Sequence, residues 1–203
     1  MYLHNRIKTN NNFFKKIRDL DFILLACILI LGLISLATMY STDGGEVLFH
    51  TRSHFFKLII FTSLMLLISF LNIKFWFSIG YLAYLLIVVM LVWTINFGVI
   101  ASGSQRWIDL YFINIQPSEL MKIFIILCLA KYFHRKRLEN VNSFYSVIIS
   151  LIIIFLPMSL VIIQPDLGTS LLISISGILV LWFAGLNLKY FFYSFLISIL
   201  SLP

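Results

Sequence analysis

The sequence predicts an all-α polytopic membrane helix bundle with about six complete spans, a truncated seventh and a cytoplasmic N-terminus. Three observations carry that expectation. The 203 residues are 61% hydrophobic and only 11% charged, with a mean hydropathy of +1.02, too few charges for a surface solvated by water. The apolar residues fall in runs of spanning length. The cations cluster between those runs, and densely so in alternate loops. This composition excludes a disordered chain, a disulfide-stapled secreted domain and a conventional water-soluble enzyme.

Each element has its own signal. Residues 1–21 form a basic N-terminal segment bearing Arg6, Lys8, Lys15, Lys16 and Arg18, and residues 22–203 form one transmembrane domain. The first span, 22–42, is too long for a signal-peptide core and no Ala-x-Ala site follows, so it is uncleaved. The second, 58–73, lies between Lys57 and Lys74, and the third, 75–101, is long enough to cross with tilt. The fourth, 117–133, opens at Gln116-Pro117. The apolar stretch from Asn142 to Leu188 is too long for one span, and Gln164-Pro165-Asp166 breaks it, because proline lacks a donor and disfavours helix before it. Spans five and six are therefore 143–163 and 167–188. The last segment, 190–203, is too short to cross a bilayer and ends on Leu202-Pro203, which reads as a seventh helix stopped partway.

The formal charge of +7 reads as a set of topology signals and not as a nucleic-acid surface, so no nucleic-acid partner is expected. One side holds the N-terminal cations, Lys74, Lys131, Arg135, Lys136, Arg137 and Lys189. The other holds Arg52, Lys57, Arg106 and Lys122. The first side is cytoplasmic by the positive-inside rule, and its run Lys131–Arg137 can also touch anionic membrane lipid. Asp43, Glu46, Asp109, Glu119 and Asp166 all fall on the opposite, outward side, where any chemistry would take place. Cys27 and Cys128 lie inside apolar runs and read as small buried hydrophobes. His50 and His54, four apart, have no third ligand at metal spacing and read as part of an interfacial helix.

Three polar constellations stand out on the outward side. In Gly103-Ser104-Gln105-Arg106-Trp107-Ile108-Asp109, the arginine suits bidentate grip of a phosphate and the tryptophan a stacking face; the alternative is an interfacial anchor on a glycine turn. In Gln116-Pro117-Ser118-Glu119-Leu120-Met121-Lys122, Pro117 suits the first helical position. Glu119 follows in the first turn and shares a face with Lys122; the alternative is a helix start with a local ion pair. Gln164-Pro165-Asp166-Leu167-Gly168-Thr169 repeats that grammar, and its alternative is a proline break whose acid caps the next helix. Two helix N-termini opening into one cavity would offer free N–H groups to a diphosphate, unless Glu119 and Asp166 already occupy them.

These three motifs, in this order and at these span boundaries, resemble the SEDS family, whose members are RodA, FtsW and SpoVE. Gln105 and Leu167 look more like the elongation member, RodA. The resemblance implies a bacterial inner-membrane glycosyltransferase that polymerises lipid II at the outer face of the membrane, for elongation and rod shape. It would work with a class B penicillin-binding protein and other elongation-complex membrane proteins, helped by a divalent cation such as Mg or Mn. Carried onto this sequence, the substrate cavity would draw on Gln105, Arg106, Trp107, Gln116, Ser118, Glu119, Lys122, Gln164 and Asp166. The family has about ten spans, and its essential acid lies in an outward loop after the seventh. No catalytic residue is therefore expected among these 203, and the chain as given is expected to be inactive. Two other classes fit the same features: a lipid II flippase, because paired broken helices also mark transport paths, and a non-catalytic membrane module that binds partners.

Overall fold

The computed structural model describes residues 17–18, 20–101, 104–110, 114–134, 136–187 and 189. The expected partial span at 190–203, most of the basic segment 1–21 and Gly103 lie outside the described residues. The chain divides into two compact units, Met1–Asn72 and Ile73–Pro203.

The first unit contains α1 (Phe22–Thr42) and α2 (Phe49–Ser69). Asp21 caps α1, its Oδ1 accepting from the N–H groups of Ile23 and Leu24 at 3.0 Å each. α1 ends in a glycine turn: Gly44 and Gly45 take φ of 78° and 84°, and the Gly45 N–H reaches back to the Tyr40 carbonyl. Leu48, at the N-cap of α2, has no side chain able to cap. Asp43 does that work from the turn, accepting from the Thr51 N–H at 2.8 Å and the Thr51 hydroxyl at 2.7 Å. Those bonds hold the Asp43 carboxyl below its ordinary 3.8, with the Thr51 hydroxyl the largest cause and the Thr51 N–H the next. α2 therefore begins well before Leu58, where the sequence placed its second span. No breaker stands between Phe49 and Lys57, and Arg52 and Lys57 become part of the helix.

The second unit holds α3 (Ile73–Phe97), strands β1 (Val99–Ala101), β2 (Ser104–Asp109) and β3 (Asn114–Ile115), α4 (Pro117–His134), the short α5 (Leu138–Val141), α6 (Phe144–Ile163) and α7 (Leu167–Phe183). The strands form one antiparallel sheet in the order β1-β2-β3, with Val99 opposite Trp107 and Ile108 opposite Ile115. The expected helical bundle is present, with this short sheet added between α3 and α4, and the third helix stops at Phe97 instead of running to Ala101. At the end of α3 the chain leaves the helix through Gly98, in a conformation where a Cβ would sit 2.5 Å from the Thr94 carbonyl oxygen, so only glycine fits there. α7 likewise ends at Phe183 and not at Leu188, closed by Gly185 at φ 89° with the Leu186 N–H returning to the Leu181 carbonyl.

α4 is the hub of this unit, packing on α3, α6 and α7. Met121, Ile125, Cys128, Leu129 and Phe133 form its buried stripe, at the spacing one helix face requires. Lipid is as apolar as these side chains, so close fit and satisfied polar groups must hold the helices together. The backbones approach closely at two glycines. A Cβ at Gly80 would meet the Leu127 carbonyl oxygen at 3.3 Å, and one at Gly177 would lie 2.6 Å from the Ile154 side chain. Pro157 sits inside α6 and has no N–H for the Ile153 carbonyl; the Tyr84 hydroxyl of α3 donates to that carbonyl instead, at 2.9 Å. The buried hydroxyls of Ser150, Ser170 and Ser174 donate to carbonyls one turn back, so they need no further partner.

Among the described residues, four helices are long and apolar enough to cross a membrane: α1, α2, α3 and α6. α7 is apolar but has 17 residues, and α4 carries Glu119, Lys122 and Lys131. With Phe144, Tyr145, Ile163, Leu167 and Phe183 all more than 60% exposed, unit 2 shows an apolar surface that suits lipid and not water. The protein is a multi-pass membrane protein. Cys128 is buried, while Cys27, expected to be buried, is exposed on a helix that has no buried residue.

Candidate functional site

One end of unit 2 gathers the C-terminus of α3, the hairpin, the N-terminus of α4 and the α6–α7 break. Asp166 is its centre. It is the N-cap of α7, and its Oδ1 accepts from the Thr169 N–H at 3.1 Å. Its Oδ2 accepts from Arg106 Nη1 of β2 at 2.9 Å and from Gln116 Nε2, just before α4, at 3.1 Å. Residues 50 and 60 positions apart are thereby tied to one carboxylate. The N-termini of α4 and α7 thereby come together at one carboxylate.

Burial works to raise the Asp166 carboxyl, but the bonds from Thr169 and the Arg106 guanidinium outweigh it and hold the group below 3.8. Asp166 is thus an ionised anchor with both oxygens committed. Arg106 keeps the rest of its guanidinium fork; its side chain is 24% exposed and its buried Nε has no protein partner. Trp107 Nε1 and the hydroxyls of Ser104 and Ser118 are also buried without a protein partner, so four unpaired polar atoms come from β2 and the first turn of α4. Unpaired buried donors are costly unless a water or ligand reaches them.

The remaining predicted residues fall in different places. Glu119 and Lys122 pair with each other at 2.8 Å, three residues apart, and Glu119 is half exposed. They lie at the rim, not in the junction. Gln105 is half buried opposite Ile100 in the hairpin. Gln164 packs against α3: it is 3% exposed, and its Nε2 donates to the Thr94 hydroxyl at 2.9 Å and the Leu91 carbonyl at 3.1 Å. It locks the end of α6 onto α3. Thr169 therefore joins the junction, and Thr94 belongs to the Gln164 lock. Thr169 was readable as the third helical position after an N-cap aspartate, but nothing in the sequence pointed to Thr94.

The opposite end of unit 2 is basic. Lys131 Nζ donates to the Ser78 carbonyl at 2.6 Å and lies over the Tyr81 ring. Lys136 Nζ donates to the hydroxyls of Tyr132 and Ser146 at 2.7 Å each. Among the described residues, no three His, Cys, Asp or Glu gather as a metal site. At the junction itself both Asp166 oxygens already accept hydrogen bonds, and Glu119 pairs with Lys122.

Comparison with known proteins agrees with this architecture. The profile of the FtsW/RodA/SpoVE cell cycle proteins matches residues 18–202. The peptidoglycan glycosyltransferase MrdB of Escherichia coli K12 is 41% identical over 108 residues, which cover 51% of this chain and 28% of MrdB. The probable peptidoglycan glycosyltransferase FtsW of Buchnera aphidicola subsp. Acyrthosiphon pisum is 32% identical over 183 residues, covering 86% of this chain and 46% of that protein. The chain thus spans less than half the length of these curated relatives. Among solved structures, the rod shape determining protein RodA of Thermus thermophilus superposes with a TM-score of 0.73 at 21% identity, over 90% of this chain and 60% of that one. A chain from a structure on polymerization and crosslinking by a peptidoglycan synthase complex superposes at 0.76, also at 21% identity, over 89% and 52%. Those structures share its polytopic helical fold, and the profile match over most of the chain shows that it belongs to the FtsW/RodA/SpoVE family of cell cycle proteins, the SEDS family.

Proposed function

We propose that this chain forms the substrate-holding, N-terminal part of a RodA-like peptidoglycan glycosyltransferase that polymerises lipid II at the outer face of the bacterial inner membrane, in cell elongation. The observation that carries the reading is the junction on Asp166, where β2, the start of α4 and the start of α7 are tied together in a chain of this family. By the positive-inside rule the basic end of unit 2 faces the cytoplasm and its hairpin end faces outward, and a cytoplasmic N-terminus is part of the same reading of the cations. The span count of six with a further partial one belongs to the same proposal, as does the domain layout of a basic segment at 1–21 followed by the transmembrane domain.

In glycan polymerisation an acceptor hydroxyl attacks the sugar carbon that carries the diphosphate. The hydroxyl proton must go to a base, and the departing diphosphate needs cationic or dipolar stabilisation. Arg106, oriented by Asp166, has free guanidinium edges for phosphate oxygens, and the indole of Trp107 can flank a sugar. Asp166 is a positioning residue, because both its oxygens already accept bonds from Thr169, Arg106 and Gln116. The rim pair Glu119 and Lys122 can meet the more solvated parts of the substrate. None of these residues is assigned as the base, and no step is routed through a metal. The partners proposed are lipid II and a class B penicillin-binding protein, in keeping with the synthase-complex structure that shares the fold.

The test is lipid II polymerisation, with the partner present, by a protein of family length carrying Arg106→Ala or Asp166→Ala. Both are expected to lose most polymer while inserting normally; wild-type polymer from both would remove the assignment. The 203-residue chain itself is expected to make no polymer under the same conditions, and polymer from it would overturn the division of roles.

A further inference from the structure

Unit 1 carries a feature separate from that junction. Between α1 and α2, at the end joined by the glycine turn, lies a groove enclosing about 550 Å³, a size typical of sites for one small ligand. Leu33, Leu36, Ala37, Phe55 and Phe56 make it apolar, and Arg52 is the one charged residue lining it. The Arg52 guanidinium lies 5.9 Å from the Phe56 ring centroid and makes no ion pair among the described residues. The carboxylate of the adjoining turn, Asp43, has committed Oδ2 to Thr51. The groove thus pairs a long apolar body with one cation, at its turn end, that makes no ion pair among the described residues.

We propose that this groove binds an anionic phospholipid, with one acyl chain lying between α1 and α2 and the headgroup phosphate on Arg52. The charge selects the occupant. An acyl chain matches the apolar walls, and a phosphate supplies a counter-charge to Arg52. The added amine of a zwitterionic headgroup meets no carboxylate in the lining. A partner's apolar helix laid in the groove would bury Arg52 unpaired, at a large cost.

The test uses the full chain in phosphatidylcholine nanodiscs, doped with phosphatidylglycerol or phosphatidylcholine bearing a photoreactive group in mid-acyl chain. Cross-linked residues are located by mass spectrometry. Phosphatidylglycerol is expected to label Leu33–Ala37 and Phe55–Phe56 about fivefold more than phosphatidylcholine, the ratio that one favourable cation gives. Arg52→Gln should abolish that preference and Arg52→Lys should keep it. Ala37→Trp, which fills the groove and leaves the charge, should lower labelling by both probes there and not at Leu31, which is 66% exposed. Far-UV circular dichroism confirms that each variant is folded. Equal labelling by the two lipids, a preference that survives Arg52→Gln, no effect of Ala37→Trp, or no lipid labelling at Phe55 would each overturn the proposal.

Discussion

Removing the Asp166 carboxylate tests the junction most directly, because three partners converge on it. Asp166→Ala deletes an N-cap, worth about 1 kcal/mol. It also strands Arg106. Breaking a fully buried ion pair costs about 3–5 kcal/mol, whereas an exposed pair is worth about 0–1. With side-chain exposures of 24% for Arg106 and 11% for Asp166, the pair lies between those limits, at about 2 kcal/mol. The Gln116 bond adds about 1 kcal/mol, so the whole loss is about 3–4. A double-mutant cycle isolates the ion pair. Arg106→Ala, Asp166→Ala and the double variant are unfolded reversibly from mixed micelles by SDS and followed by far-UV circular dichroism. The coupling energy should be about 1–2 kcal/mol. Asp166→Asn keeps a cap acceptor and should recover the capping share alone. A coupling within about 0.3 kcal/mol of zero would mean that Arg106 and Asp166 merely lie side by side, and the positioning argument would fail with it.

Other predictions follow from the same physics. Tyr84→Phe leaves the Ile153 carbonyl without a donor and should destabilise unit 2 by about 1–3 kcal/mol; in a Pro157→Ala background, where the helix supplies its own N–H, the same change should cost much less, and equal costs would dismiss this account. Gly177→Leu drives a side chain into Ile154 and should destabilise by at least about 1–3 kcal/mol, partly relieved by Ile154→Ala, with SDS unfolding as the readout. Asp43 has a lowered carboxyl, so the Thr51 cap is fully present above 3.8 and is lost as pH falls through the lower folded value. Hydrogen exchange at the Thr51 amide, corrected for its intrinsic rate, should therefore lose protection only in that acid range, and Asp43→Ala should lack the protection at every pH. Gln164→Leu leaves the Thr94 hydroxyl its bond to the Leu91 carbonyl, and should loosen α6 against α3 without touching Arg106; a thermal melt falling alongside an unchanged Arg106–Asp166 coupling energy is the expected result.

Composition and local pattern determined a good deal by themselves. Apolar runs of spanning length can be solvated only by lipid, so a polytopic helical membrane protein follows from the sequence. The proline at the start of α4, the aspartate capping α7 and the Glu119–Lys122 pair are local features, readable because their partners lie within one helical turn. The three motifs marked the family for the same reason, being short and contiguous. Tertiary structure decided which of those residues meet. The bonds from Arg106 and Gln116 to Asp166 span 60 and 50 residues, and no local rule brings them to one carboxylate. Gln164 has the same flanking grammar as Gln116, yet one packs into α3 while the other holds the junction, because the two helix ends meet different neighbours. The hairpin was missed because residues 99–101 close a long apolar run, where length argues for more helix, and residues 103–109 read as an outward loop on a glycine turn. The strand partner and the exit through Gly98 decided otherwise. Local periodicity says where a chain enters the membrane; which polar side chains share a site depends on helix packing, and that is a property of the assembled unit.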